Sequence, residues 1–315
     1  MAIGTAAGVN IDAHAHRRGI LMVAASAVLW STAGLFVRMA TLDTATLVLW
    51  RSLFAALTLG GMALVRRGPV AFVECFRDLR TTAIFVGTSV VSSTSYVFSL
   101  RLTSVANVMT VYAALPFIAT GIGYVWIGEP VTRRFLLAGT IAAGGIAGMA
   151  GGSAGMGDLA GIAAALVMTA GFAIQLVAIR RHPGVDVLAL NACSAAACVP
   201  VVLPFASWAV PGAVSLGAAA LYGVLTTGLA YVLAMEGGRR VSPGEAGFIS
   251  MLDVVLGPLW VWLAFSERPG MAVLLGGAVV LGAVGWYLGT LRGQRPVESV
   301  EERDDLEDVA VCVAD

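Results

Sequence analysis

Apolar residues dominate the chain in ten long runs, which are separated by short segments that carry most of the charged residues. Each run approaches the length of about 20 residues that a helix needs to cross the hydrocarbon core of a membrane. Because a backbone in lipid has to satisfy its hydrogen bonds internally, each run predicts a transmembrane helix. The predicted fold is an all-α polytopic membrane protein with ten transmembrane helices. They lie at residues 19–37, 44–65, 81–100, 104–127, 135–151, 159–179, 187–206, 213–235, 246–265 and 270–291.

The composition agrees with a membrane location. Hydrophobic residues make up 58% of the 315 residues and charged residues 12%, against about 25% charged residues in a soluble domain. The net charge is zero and all nineteen basic residues are arginine, which excludes a basic surface for nucleic acid, a P-loop and lysine chemistry. The four cysteines show no metal-ligand spacing and the three histidines lie in polar flanks. We therefore predict no metal site and no cofactor.

The arginines are distributed unequally between the two sides of the predicted membrane. With the N-terminus in the cytoplasm, fifteen arginines fall in cytoplasmic segments, and only Arg38, Arg101 and Arg268 fall in outer loops. By the positive-inside rule, this asymmetry predicts that both termini are cytoplasmic. We expect an integral protein of the bacterial inner membrane, with a cytoplasmic tail at 1–18 and an acidic, disordered cytoplasmic tail at 292–315.

The chain contains an internal repeat. A shift of 138 residues superposes Glu129 on Glu267, together with an arginine, a serine, two leucines and two glycines. These matches define two five-helix units, at 19–151 and 158–291. Because five is an odd number, the second unit enters the membrane with the opposite orientation. Inverted repeats are typical of secondary transporters, in which two related bundles alternate access to a central site.

Four strings resemble a known family. They are WSTAGLFVR at 30–38, LWRSLFAALTL at 49–59, TSVANVMTVYAALPFIATGIGYVWIGEPVT at 103–132 and SPGEAGFISMLDVVLGPLWVWLAFSERP at 242–269. Over about residues 19–291 the chain resembles the EamA-type branch of the drug/metabolite transporter superfamily. The resemblance implies a carrier, often an exporter of amino acids or other metabolites. It also implies a cavity lined mainly by the third, fourth, eighth and ninth helices, with parts of the first, second, sixth and seventh. The family's Glu-Pro signature is matched by Glu129-Pro130, whereas its carboxylate-proline pair is replaced by Asp253-Val254.

Two charged residues, Asp253 and Arg51, lie well inside predicted helices. An ionisable side chain there costs about 2.5 to 3.5 kcal/mol on insertion scales, so each is a candidate functional residue. Asp253 can bind an amino group of the substrate or take up a proton that couples transport; the alternative is a buried structural carboxylate. Arg51 can bind a substrate carboxylate or pair with Asp253, or its long side chain can snorkel to the interface.

Seven further polar or aromatic side chains interrupt the apolar helices, and we expect some of them to face a cavity. They are Trp30, Tyr96, Asn107, Tyr112, Gln175, Tyr222 and Tyr231. For any one of them, helix packing is the alternative role. Pro116 and Pro258 each remove a backbone hydrogen bond inside a predicted helix, which predicts either a functional kink or a tolerated packing irregularity.

The inverted repeat predicts a secondary transporter in the lipid bilayer that moves a small-molecule substrate, and the resemblance implies an amino acid or related compound moved in the direction of export. Protons are a candidate coupling ion, no ATP-binding subunit is implied, and the oligomeric state stays open. The alternatives are a channel-like protein and an intramembrane enzyme, because Gly155-Met156-Gly157-Asp158 matches the GxGD string of intramembrane aspartyl proteases. That mechanism requires two aspartates that share a proton, and Asp253 lies at a different depth. We therefore predict that the protein is not an enzyme.

Overall fold

The computed structural model describes residues 5–128, 133–151, 156–182, 186–207, 209, 211–241, 246 and 249–292. Within these ranges the chain is predominantly helical and contains no β-strand, which confirms the all-α prediction. The first helix begins at Thr5 and so includes most of the predicted N-terminal tail. The predicted acidic tail beyond Arg292 and the Glu129-Pro130 pair lie outside the described residues.

Fourteen α-helices follow one another along the described part of the chain. They are α1 (Thr5–Ser31), α2 (Ala33–Met39), α3 (Thr44–Arg67), α4 (Val70–Arg77), α5 (Leu79–Leu102), α6 (Val105–Tyr112), α7 (Leu115–Ile127), α8 (Arg133–Gly151), α9 (Met156–Arg181), α10 (Val187–Val202), α11 (Ala213–Leu221), α12 (Ala230–Gly238), α13 (Leu252–Phe265) and α14 (Met271–Arg292). A 3₁₀ turn, Leu203–Phe205, follows α10, and a π-helical segment, Tyr222–Leu229, joins α11 to α12.

Short polar residues determine where several helices begin. Asp43, Asp78 and Asp186 each accept a hydrogen bond from a backbone amide in the first turn of α3, α5 and α10, which satisfies a donor that the helix itself leaves free. Hydrogen bonds from Thr81 lower the pKa of the Asp78 carboxyl below its ordinary value. Gly68 ends α3 with a φ of 67°, a left-handed conformation that glycine adopts without steric cost.

Seven of the described helical segments are long and apolar enough to cross a membrane. Two shorter apolar helices, Leu252–Phe265 and Met271–Tyr287, fall in the ninth and tenth predicted runs, and α8 falls in the fifth. The described chain is therefore a polytopic α-helical protein with seven such segments. The count of ten transmembrane helices stays a prediction.

Two of the predicted transmembrane helices are interrupted at positions that the internal repeat relates to each other. Ala113 and Ala114 form a turn between α6 and α7, and Met251 forms a turn directly before α13. Met251 follows Ala113 by 138 residues, which is the shift that superposes the two repeats. Pro116 lies in the first turn of α7, where a missing N–H removes no helical hydrogen bond, whereas α13 continues through Pro258.

The two halves of the chain interlock. α5 of the first half packs against α9 of the second, α3 against α10, α1 against α12 and α8 against α14. The buried apolar core between them includes Phe36, Leu47, Met168 and Val280. The π-helical segment approaches α3 so closely that a Cβ at Gly223 would lie 2.5 Å from the carbonyl oxygen of Arg51, so only glycine fits there. Between the interlocked helices lies a cavity.

Candidate functional site

The cavity has a volume of about 250 Å³ and is lined by helices of both halves. This volume lies just below the range of about 300 to 1,000 Å³ that is common for small-molecule sites. Apolar and aromatic side chains form most of its wall, and among the described helices α4, α8, α11 and α14 contribute none of it. The polar members of the wall are Arg51, Ser52, Ser89, Ser93, Gln175, Asn191, Ser194, Thr226, Thr227 and Asp253.

Eight of the nine predicted binding candidates line this one cavity. They are Trp30, Arg51, Tyr96, Tyr112, Gln175, Tyr222, Tyr231 and Asp253. The ninth, Asn107, is buried elsewhere, where its side-chain amide donates a hydrogen bond to the hydroxyl of Thr103 at 2.6 Å. Asn107 is therefore not part of the cavity wall.

Arg51 extends its side chain into the bundle, and its residue is only 5% exposed. One terminal nitrogen, Nη2, donates hydrogen bonds to the hydroxyl of Ser93 at 2.8 Å and to that of Ser52 at 3.3 Å. The guanidinium carbon lies 5.2 Å from the ring centre of Tyr222, which is within the range of a cation–π interaction. This position does not support snorkelling to the membrane interface. The buried Nε of Arg51 has no protein partner.

Asp253 lies in the first turn of α13, two residues after the interruption at Met251, and is 6% exposed. Its Oδ1 is buried without a hydrogen-bond partner. The free amide groups at a helix N-terminus carry a partial positive charge that stabilises a nearby carboxylate. The hydrogen bonds of Arg51 go to the two serines and none goes to Asp253, so the pairing of these two residues, one of the alternatives for Arg51, is not formed. The cavity therefore holds a buried cation and a buried carboxyl group that do not neutralise each other by contact.

Two hydrogen bonds between helices order the wall of the cavity. The side-chain amide of Asn191 donates to the phenol oxygen of Tyr231 at 2.7 Å, and this contact joins α10 to α12. The hydroxyls of Thr32 and Thr226 lie 3.1 Å apart, which joins the start of α2 to the π-helical segment. Hydrogen bonds of this kind fix the rotamers of side chains that face a site.

Several wall residues were not predicted from the sequence, namely Ser52, Ser89, Asn191, Ser194, Thr226 and Thr227. Hydroxyl side chains in helices commonly bond to their own backbone, as Ser194 does with the carbonyl of Leu190, so their presence in the sequence carries little signal. The π-helical segment widens the helical turn and changes which residues share a face.

The alternative sites considered from the sequence have no matching geometry in the described residues. Asp158, the aspartate of the GxGD string, accepts a hydrogen bond from the hydroxyl of Thr103 at 2.7 Å and does not line the cavity that holds Asp253. Among the side chains that the structure describes, no group of three or more His, Cys, Asp or Glu residues could hold a metal ion. The described cysteines, Cys75, Cys193 and Cys198, are free thiols.

An apolar helical bundle that encloses a cavity with buried charged groups has the architecture of a membrane transport protein. The model of the EamA-like transporter family matches residues 17–151 and 155–288. The chain therefore belongs to the EamA-like transporter family, and it contains two copies of the family's domain. These copies correspond to the two repeats found in the sequence.

Comparison with known structures supports the fold. One crystal structure of a protein superposes on this chain with a TM-score of 0.62, and the match covers 87% of this chain and 96% of the other. The two sequences are 18% identical, so this likeness concerns the fold alone. No curated protein matches the chain.

Proposed function

We propose that this protein is a secondary transporter of the bacterial inner membrane that exports amino acids or related small metabolites by alternating access. The observation that carries the proposal is the cavity between the two repeats, in which Arg51 and Asp253 are both buried and not bonded to each other. An α-amino acid carries one carboxylate and one ammonium group. Its two charges match the guanidinium and the carboxyl, and the apolar and aromatic wall can contact its side chain.

Arg51 is the proposed partner of the substrate carboxylate. Ser52 and Ser93 hold one terminal nitrogen of its guanidinium, and the remaining N–H groups are available to a ligand. An arginine positioned in this way can donate two parallel hydrogen bonds to a carboxylate. Because the site is shielded from bulk water, each of these bonds is stronger than it would be in solution.

Asp253 is the proposed partner of the substrate ammonium group, with Oδ1 as the free acceptor. The same carboxylate can bind a proton when no substrate is present. Burial favours this protonated form, because it disfavours the charged form. Substrate and proton would then compete for one group. Such competition couples export of the substrate to entry of a proton.

The proposed orientation follows from the arginine distribution. It places the end of the bundle that carries Arg66 and Arg67 in the cytoplasm, and the end that carries Arg38 and Glu267 outside. The pair of interruptions at Ala113 and Met251 supports alternating access, because each repeat has a helix that is interrupted by a turn beside the cavity. Leu115 and Asp253, which lie two residues after Ala113 and Met251, both line the cavity.

The proposal is tested by uptake into proteoliposomes that contain the purified protein, with labelled amino acids and the amines formed from them by decarboxylation. We expect saturable uptake of amino acids that rises when a proton gradient is imposed and falls when the gradient is collapsed. Saturable uptake of the amines without saturable uptake of amino acids would overturn the proposed substrate class. Transport that rises linearly with concentration and gives single-channel currents in planar bilayers would replace the carrier with a channel.

A further inference from the structure

A second polar cluster lies apart from the cavity, at the end of the bundle that carries Glu267. Arg38, at the end of α2, donates from Nε to Oε2 of Glu267 at 3.1 Å and from Nη2 to Oε1 at 3.2 Å. The same Nη2 donates to the backbone carbonyl of Thr103 at 3.2 Å. The hydroxyl of Thr103 donates in turn to Oδ1 of Asp158. We call Arg38, Thr103, Asp158 and Glu267 the polar latch.

The polar latch joins the two repeats. Arg38 and Thr103 belong to the first repeat, and Asp158 and Glu267 belong to the second, so both side-chain contacts cross the interface between them. Two N–H groups of one arginine bond to two oxygens of one carboxylate, which is the strong, directional form of an ion pair. The side chains of Arg38 and Glu267 are 25% and 28% exposed, so water screens this pair less than a pair on an open surface.

Buried neighbours hold the latch in one geometry. Asn107 is 5% exposed and donates its side-chain amide to the hydroxyl of Thr103 at 2.6 Å, which orients that hydroxyl toward Asp158. α9 packs closely against Thr103, because a Cβ at Gly161 would lie only 2.6 Å from the Cβ of Thr103. These contacts explain why Asn107 is polar and buried although it does not line the cavity.

The cavity stops short of the latch. On α9 its lining begins at Met168, ten residues after Asp158, and continues to Ile179, two residues before the helix ends. At 1.5 Å per residue, about 15 Å of helix separates the latch from the first lining residue. The end of the bundle that carries the latch is therefore closed by packed residues, and a substrate that leaves the cavity there has to pass between the two repeats.

We propose that the polar latch is the gate that closes the Glu267 end of the cavity, and that it separates each time the transporter opens toward that side. The inference rests on the proposed transport function. The latch residues position the two repeats and do not bind the substrate. A carrier needs closing contacts that are strong enough to hold and able to separate reversibly, and an ion pair that water can resolvate meets both conditions better than an apolar seal does.

The test measures which side of the membrane has access to the cavity, and it needs no substrate. In the full-length chain with its four cysteines replaced by alanine, Ser89→Cys introduces one thiol in the cavity wall, at a hydroxyl that has no hydrogen-bond partner. A membrane-impermeant sulfonated thiol reagent is then added to right-side-out and to inside-out vesicles. We expect Glu267→Gln and Arg38→Gln each to increase the labelling rate from the Glu267 side about tenfold, because every 1.4 kcal/mol lost from the closed state shifts the equilibrium by that factor.

Two comparisons separate a gate from a general loosening of the fold. Arg38→Gln combined with Glu267→Gln should label no faster than either single variant, because both changes remove the same ion pair. The matched control is Glu236→Gln, which removes another contact between the repeats, to Arg66 at 2.7 Å, at the opposite end. It should not accelerate labelling from the Glu267 side.

Unchanged labelling from the Glu267 side in the two single variants, with monodisperse protein, would overturn the gate. An equal acceleration in Glu236→Gln would overturn it as well. If the charge variants fail to insert, Gly161→Ala provides an uncharged wedge against Thr103, and the same increase in labelling is expected. If the latch variants alter the labelling rate but no transport of the tested compounds is found, the proposed substrates are rejected and the gate is retained. If transport is found but the latch variants leave the labelling rate unchanged, only the gate is rejected.

Discussion

Replacing Arg51 by glutamine removes the one cation that lines the cavity in the described part of the chain. The wild-type guanidinium is bonded to Ser52 and Ser93 and lies over the ring of Tyr222, so it is held in place before any substrate binds. Glutamine has about the same apolar volume near the backbone and retains a neutral donor. The variant therefore tests the charge more than the packing.

The expected effect follows from the bonds that a substrate carboxylate loses. A hydrogen bond to a charged group contributes about 1.5 to 3 kcal/mol, which corresponds to about a 10- to 150-fold increase in KM for an amino acid. An amine without a carboxylate makes no such bond, so its KM should change by less than about twofold. The ratio between the two KM values is the quantity to measure, because a loss of carboxylate recognition changes it, whereas a general change in the cavity alters both KM values alike.

The assay is competition in proteoliposomes, with an amino acid and its decarboxylated amine as unlabelled competitors. Arg268→Gln is the matched control, since Arg268 is exposed after α13 and outside the cavity, and it should leave both KM values unchanged. A parallel loss of affinity for the amino acid and the amine would refute the reasoning, because it would show that Arg51 supports the shape of the cavity and not recognition of a carboxylate.

Three further outcomes are expected. Asp253→Asn should abolish the stimulation of transport by a proton gradient while the protein still inserts, and gradient-dependent uptake in this variant would remove the carboxyl from coupling. Gly223→Ala should lower stability by about 1 to 3 kcal/mol through overpacking, seen as a lower Tm of the purified protein, whereas Gly217→Ala, which faces open space, should not. Tyr231→Phe should raise KM about two- to tenfold in uptake assays, because it removes one hydrogen bond that the phenol can make to the substrate. Asn191→Ala should raise KM by the same factor, because the bond from Asn191 orients the phenol.

The class of fold could be predicted because a membrane makes simple demands on a sequence. Every run long enough to span lipid has to be apolar and helical, so hydropathy alone indicated the helices, and the 138-residue shift indicated the repeat. The interruptions at Ala113 and Met251 were not predicted. Alanine and methionine favour helices, and these turns depend on tertiary packing around the cavity, which local propensity does not encode.

Much of the site could be predicted from the free energy that it costs to place a charged or polar side chain in a membrane. A buried Arg51 or Asp253 is expensive in lipid and so needs a polar, enclosed place, and both line the cavity. This free-energy cost does not indicate which hydrogen-bond partners such a residue contacts. Asn107 carries the same sequence signal as Gln175, yet it bonds to Thr103 at the end of the bundle, because neighbouring helices and not composition determine which polar group it meets.

The two repeats share a scaffold but not a site, and this difference bears on how a symmetric fold can carry an asymmetric molecule. The repeat shift relates Asp253 to Leu115 and Arg51 to Ala189, so each charged group is present in only one repeat. The interruptions beside the cavity are present in both. In the proposed alternating-access mechanism, related backbones would allow the two halves to exchange conformations at similar free energy, because the same helix interruption occurs in each. In the proposed mechanism, unrelated side chains would give the cavity one cationic and one carboxyl-bearing wall, and we expect a zwitterion to bind in a single orientation whichever end of the bundle is open.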